Sequence, residues 1–155
     1  MDRDANVPFL LVAVSNKVVA SASQAYMRHY GLGIMEWRVM ALLAADPNIT
    51  GKDICFLSGV TAGSVSRAIN TLKKLRYLDV SNDAADNRRS FLKLNAAGMA
   101  LHNRVIISSL EREALLLTGF AQAERRALLS YLRRLLSNIV LLGGHQPAAR
   151  SPSRG

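Results

Sequence analysis

Acidic residues are scarce in this chain. Its 155 residues include 11 Asp and Glu against 20 Lys and Arg, giving a formal net charge of +9 and a pI of about 10.4. That balance favours a polyanionic partner, either nucleic acid or an anionic membrane surface. Cysteine is nearly absent: Cys55 stands alone, so no internal disulfide can form, and a reducing cytoplasm is expected. Aromatic residues make up only 6% and are not interleaved with the basic ones. Single-strand binding by base stacking is therefore disfavoured relative to duplex binding. Long hydrophobic runs are missing too. Phe9 to Val14 and Ile139 to Leu142 fall short of the ~20 apolar residues that span a bilayer. The start, Met-Asp-Arg-Asp, leads to no small-residue cleavage site, so no secretory signal is read. His29, His102 and His145 are isolated from Cys and carboxylates at ligand spacing, which argues against a metal site. There is no nucleophile–base pair and no phosphate loop, so neither an enzyme nor a cofactor is expected.

Hydrophobic residues, in contrast, reach 50%, and charged residues 20%. These are globular proportions, and the length predicts one domain with a real core.

The segment Thr61 to Tyr77 stands out. Val65, Ile69, Leu72 and Leu75 recur at helical spacing and predict one apolar stripe, with Thr61 as N-cap. Its charged residues are Arg67, Lys73, Lys74 and Arg76, a formal +4 with no carboxylate. Solvated helix faces usually mix both signs. Small hydroxyl residues followed by an arginine suit a helix entering a major groove N-terminus first. Ser and Thr can bond bases or phosphates, Arg can fork onto guanine, and helix N-termini attract phosphate. The plain alternative is a core helix with a solvated basic side.

Before it, Val7 to Tyr30 reads as a first helix ended by Gly31 and Gly33. Val7, Leu10, Leu11, Val14 and Val18 exceed what one side of a small domain buries, as at a subunit interface. Ile34 to Ala45 is a second helix, with Ile34, Trp37, Met40 or Ala41, and Leu43 or Ala44 inward. Ile49 can add a short strand. Thr50 to Ser58 is a short third helix, with Thr50 as cap, Asp53 in the first turn, and Ile54 and Leu57 inward. Ser58-Gly59-Val60 is the turn. Short helix, Gly-containing turn, basic amphipathic helix: this is the order of a helix-turn-helix.

After it, Leu78 to Ser81 and Arg88 to Leu94 read as two strands around the polar loop 82–87, which makes a wing. Asp86 lies two residues from Arg88 and can orient it. An arginine on a narrow tip is suited to a minor groove; the bland alternative is a surface ion pair. Asn95 caps the next helix, and Gly98 in its first turn lets a neighbouring backbone come close. A break at Thr118-Gly119-Phe120 precedes a last helix, Ala121 to Leu142, striped by Leu128, Leu132, Leu135, Ile139 and Leu142. Residues 143–155 read as a disordered basic tail.

At this point the chain resembles the MarR family of bacterial winged-helix transcriptional regulators, over about Gly31 to Leu142. The resemblance rests on three stretches. One is the run GLGIMEWRVMALL from Gly31, with Trp37 at the family's aromatic position. The second is Ser64-Val65-Ser66-Arg67. The third is the wing Asp83-x-x-Asp86-x-Arg88, continuing through Leu94 to Gly98 as the family's Asp-x-Arg signature and following helix start. Asn95 replaces the usual Thr, Asn87 a common Arg, and Ala84 a turn Pro.

The resemblance implies a mainly α fold with a small β wing (α+β): a winged helix-turn-helix at 34–94, with dimerisation helices at 7–30 and 95–142. It implies a homodimer on a pseudo-palindromic double-stranded operator. The expected DNA-binding residues are Thr61, Gly63, Ser64, Ser66, Arg67, Asn70, Lys73, Lys74, Arg88 and Arg89, with Asp86 orienting the wing. It further implies a repressor released by a small aromatic or anionic ligand, such as a CoA thioester. Tyr26, His29, Tyr30, Trp37, Arg38 and His102 are the candidate ligand residues, and ordinary core or surface roles compete at each. An architectural DNA-binding protein without effector and a redox regulator acting through Cys55 are the alternatives. A free cysteine is more often a small buried hydrophobe.

Overall fold

The computed structural model describes residues 6–82 and 89–142. Asp86, Arg88 and residues 143–155 lie outside the described residues. The chain divides into two compact units, Met1–Leu110 and Glu111–Gly155, where one domain is expected from length.

In the first unit, α1 (Val7–Tyr30) starts on Asn6, whose side chain accepts the Phe9 amide at 2.9 Å, and stops at Gly31 in the left-handed region. Only Ala22 and Tyr26 of α1 are buried. By length and apolar composition alone α1 could cross a bilayer; its C-terminal half is instead seated in the core through those two residues. Its N-terminal half leaves Val7, Leu10, Leu11, Val14 and Val18 exposed, together with Phe9 and Val12.

The second helix, α2 (Ile34–Ala45), buries Trp37, Val39, Met40 and Leu43. Val39 falls outside the predicted inner face, and Ile34 is only half-buried. The reason is that α2 has neighbours on several sides: α1, α3, α4 and a strand. A helix so enclosed buries more than one stripe.

Strand β1 (Ile49–Thr50) leads into α3 (Gly51–Ser58), which begins with a capping box. Asp53 Oδ2 accepts the Thr50 amide at 2.8 Å, and the Asp53 amide donates back to Thr50 Oγ1 at 3.3 Å. Ile54 is buried, but Leu57 is half exposed, against expectation. In a helix this short the core side is set by Ile54 and by Ser58, which sits one turn on and donates to the Ile54 carbonyl at 2.6 Å. Leu57 turns away from that line. Cys55 is half-buried against the core.

Gly59, at φ 65°, makes the turn into α4 (Ala62–Lys74), which buries Val65, Ala68, Ile69 and Leu72. Leu75 does not join the stripe; it is 46% exposed. The helix has already ended there: the Arg76 amide donates to the Lys73 carbonyl at 2.9 Å and the Tyr77 amide to Leu72 at 3.0 Å. This paired termination needs a left-handed residue, and Arg76 supplies it at φ 58°. A non-glycine residue there costs about 1 kcal/mol.

Strands β2 (Leu78–Asn82) and β3 (Ser90–Leu94) pair antiparallel with Leu78 opposite Leu94 and Asn82 opposite Ser90. β1 adds to the far side of β3, giving the order β1-β3-β2. Leu92 and Leu94 alternate inward with Leu78. Asn95 caps α5 (Ala96–Leu116): its Oδ1 accepts the Gly98 amide at 2.9 Å, while its Nδ2 donates to the Arg76 carbonyl at 2.8 Å. Gly98 is buried under the Tyr77 carbonyl, and a Cβ there would collide with that oxygen.

The second unit holds the end of α5 and α6 (Gln122–Leu142). Glu124 accepts the Ala121 amide at 2.7 Å. The guanidinium of Arg125 donates to the carbonyls of Phe120 and Leu117 at 3.2 and 3.1 Å, closing the turn. No residue of α6 is buried. Of the predicted stripe, Leu128 and Leu132 are half-buried, while Leu135, Ile139 and Leu142 are exposed.

Candidate nucleic-acid interface

Helix α4 turns its apolar side into the core, so its other side is left to solvent. Gly63, Ser66, Arg67, Asn70, Lys73 and Lys74 are all exposed, as is Thr61 before the helix; Ser64 is half-buried. No carboxylate lies anywhere in α4. The predicted helix residues therefore do share one polar, cationic face.

Thr61 departs from its expected role. It occupies the N-cap position, but its hydroxyl makes no bond to a first-turn amide. It donates instead to Ser64 Oγ at 3.1 Å, and Arg67 donates to the same oxygen at 3.2 Å. The Ala62 and Gly63 amides thus keep their capacity for an outside acceptor, while the Ser64 amide donates to the Thr61 carbonyl at 3.0 Å. The guanidinium of Arg67 lies along the first turn, near where a side chain on Gly63 would begin. A guanidinium, hydroxyls and two amides at one helix start are groups able to donate to phosphate oxygens or base edges.

On the wing side, Arg89 is exposed and sits 5.6 Å over the Phe91 ring. Asp53 lies close enough for Arg89 to help lower its pKa, though the chief causes are the hydrogen bonds from the Thr50 hydroxyl and backbone amide. One ion pair among the described residues, Lys93 with Asp79 at 3.9 Å, faces solvent and contributes little. No group of His, Cys, Asp and Glu suited to a metal occurs among the described residues.

The candidate ligand residues largely converge. Tyr26 stands edge-on to Trp37 at 5.8 Å and tilts against Tyr30 at 6.3 Å; His29 meets Tyr30 at 6.3 Å; His102 stacks on Trp37 at 5.4 Å. No ring contact or charge partner joins Arg38 to them among the described residues. The nearby cation is Arg104, 6.0 Å over Tyr30, a pairing with no signal in local sequence because it joins α5 to α1. Tyr26 and Trp37 are buried, so the cluster is packed. Open space lies elsewhere in this unit, in a cleft of about 470 Å³ lined by Ser23 and Met27 of α1, residues 33–36, and Ser64, Arg67, Ala68 and Thr71 of α4. None of the six candidates lines it.

A helix-turn-helix followed by a two-stranded wing, with β1 completing a three-stranded antiparallel sheet, defines a winged-helix protein, mainly α. The MarR family model matches residues 30–89. A MarR/EmrR family transcriptional regulator from Acinetobacter sp. ADP1 superposes with a TM-score of 0.84 at 26% identity, covering 91% of this chain and 99% of its own. BpsR of Bordetella bronchiseptica, whose DNA binding is regulated by 6-hydroxynicotinic acid, gives 0.76 at 24% identity, covering 87% and 96%. MepR of S. aureus in complex with DNA gives 0.74 at 19%, covering 89% and 99%. No curated protein matches the chain in sequence. Residues 30–89 thus carry the MarR family pattern, and the chain has the fold of MarR-family transcriptional regulators.

Proposed function

We propose that this protein binds double-stranded DNA at pseudo-palindromic operators as a homodimer, and that it is a repressor released by a small aromatic or anionic ligand. The observation that carries the DNA reading is the carboxylate-free outer face of α4, with half-buried Ser64 and exposed Ser66, Arg67 and Asn70 along it. The net charge of +9 supports it, as does the occurrence of the same fold in the MepR–DNA complex. Arg67 and Asn70 read base edges, Lys73, Lys74 and Arg89 hold phosphates, and Arg88, oriented by Asp86, enters the minor groove. The dimer is supported by the apolar faces that α1 and α6 each leave open.

The test is binding to duplexes selected from a random pool. Arg67→Ala loses about 5–150-fold in affinity, since a good base contact is worth about 1–3 kcal/mol, with the oligomeric state unchanged. Wild-type binding by both Arg67→Ala and Arg88→Ala would overturn the assignment. An architectural protein would instead bind selected and mixed sequences alike.

For the effector, the cleft beside α4 offers Arg67 to the acid group, with Glu36 as the one carboxylate in the same wall, while Met27, Ile34 and Met35 supply apolar contact. An acid held there competes with DNA for Arg67. A thermal-shift screen of aromatic acids and their CoA thioesters tests this. An effector at a hundredfold excess over Kd stabilises by about 2.7 kcal/mol and releases the duplex.

A further inference from the structure

Arg76 occupies a backbone position better suited to glycine. Its φ is 58°, and the paired hydrogen bonds that end α4 require that left-handed turn. Glycine takes the conformation without penalty and asparagine with little. The chain places its bulkiest cation there and then holds it firmly. The carbonyl of Arg76 accepts the Asn95 side-chain amide at 2.8 Å, and the next carbonyl, Tyr77, accepts the Asn95 backbone amide at 3.2 Å. Gly98 clears the space that lets this crossing close. Backbone strain kept in place by several independent bonds points to a use for the side chain that bears it.

That side chain is exposed. Among the described residues it has no carboxylate partner; the nearby strand's Asp79 is turned to Lys93. Lys73 and Lys74, three and two residues before it, are exposed as well, so three cations stand at the end of a helix that has no acid. Cations do favour a helix C-terminus through the dipole. The two lysines already fill that role, and neither requires a strained backbone.

We propose that Arg76 is a further DNA contact: a guanidinium fixed at the end of the recognition helix that takes a backbone phosphate. This rests on the DNA-binding reading given above. Phosphate contacts set position and register rather than sequence. The site therefore adds affinity on every duplex and leaves operator choice to Arg67 and Asn70.

Arg76→Gly, Arg76→Asn and Arg76→Lys are compared with wild type and Arg67→Ala by thermal melting and fluorescence anisotropy. The probes are a duplex of about 30 base pairs selected from a random pool, enough for two half-sites one turn apart, and a mixed-sequence duplex of equal length. Arg76→Gly is expected to raise Tm by about 2–4 °C, because strain is relieved. It loses about 3–10-fold in affinity on both duplexes, and its log–log salt dependence becomes shallower by about 0.9. Arg76→Asn follows it in binding, and Arg76→Lys stays within about threefold of wild type. Wild-type affinity and salt slope in Arg76→Gly would overturn the inference, as would a loss confined to the selected duplex. If Arg67→Ala weakens binding while Arg76→Gly does not, this inference alone falls. If the wild type binds neither duplex, the DNA-binding reading falls with it.

Discussion

Asp53 shows how one side chain can decide whether a helix starts. Hydrogen bonds from the Thr50 hydroxyl and amide hold its carboxyl below the usual carboxylate range, with smaller help from Arg89 and Lys52. Because its pKa is lower folded than unfolded, the stability it contributes is present above its unfolded pKa, near 4. That stability is lost as pH falls through the lower folded value. Asp53→Asn therefore melts below wild type at pH 7, and the gap closes on titration below about pH 4. A gap that stays constant across that range would mean the carboxylate charge is irrelevant. Thr50→Ala removes the hydroxyl end of the box, leaves the residue-50 amide on Asp53, and costs about 1 kcal/mol. At Gly98, Ala puts a methyl group against the Tyr77 carbonyl. The expected cost is about 3 kcal/mol, at the upper end of overpacking, seen as a lowered urea midpoint with little change in slope. An unchanged midpoint would show that the chain yields there freely.

At the scale of elements, the sequence was most legible where a period ran for several turns or pairs. The Val65, Ile69, Leu72 stripe, the Leu92 and Leu94 alternation and the Asn95 and Thr50 caps all stand where spacing and residue type put them. What spacing does not encode is where a period stops. Leu57 and Leu75 fit the pattern and still face solvent, because a two-turn helix and a left-handed residue ended the register first. Thr61 is a fair cap by type, but its hydroxyl is turned to Ser64 Oγ rather than to a first-turn amide. Val39 was missed for a different reason: how many neighbours enclose a helix is a tertiary fact. The same limit hid Arg104 over Tyr30 and the cleft beside Arg67. The cationic face of α4 was readable because it is a local property of thirteen consecutive residues.

For the whole molecule, the exposed apolar residues are the dominant feature. In the first unit Leu10, Leu11 and Val14 of α1 are open to solvent; in the second, Leu136, Ile139 and Val140 of α6 are. Single exposed apolar residues are ordinary, but contiguous faces mark interaction surfaces. Leu11→Glu and Ile139→Glu are each expected to shift the protein from dimer to monomer or aggregate in light scattering, and to abolish operator binding with the α4 face intact. A folded dimer in both variants would show that neither face is the interface.

The absence of any buried residue in α6 also bears on how long the protein survives. A helix without a core of its own opens at nearly the cost of its hydrogen bonds. Amide exchange in α6 should therefore quicken on dilution, while α2 and α4 keep their protection. A subunit still waiting for its copy is a ready protease substrate. Abundance then sets half-life, and a cell that makes little of this regulator keeps even less.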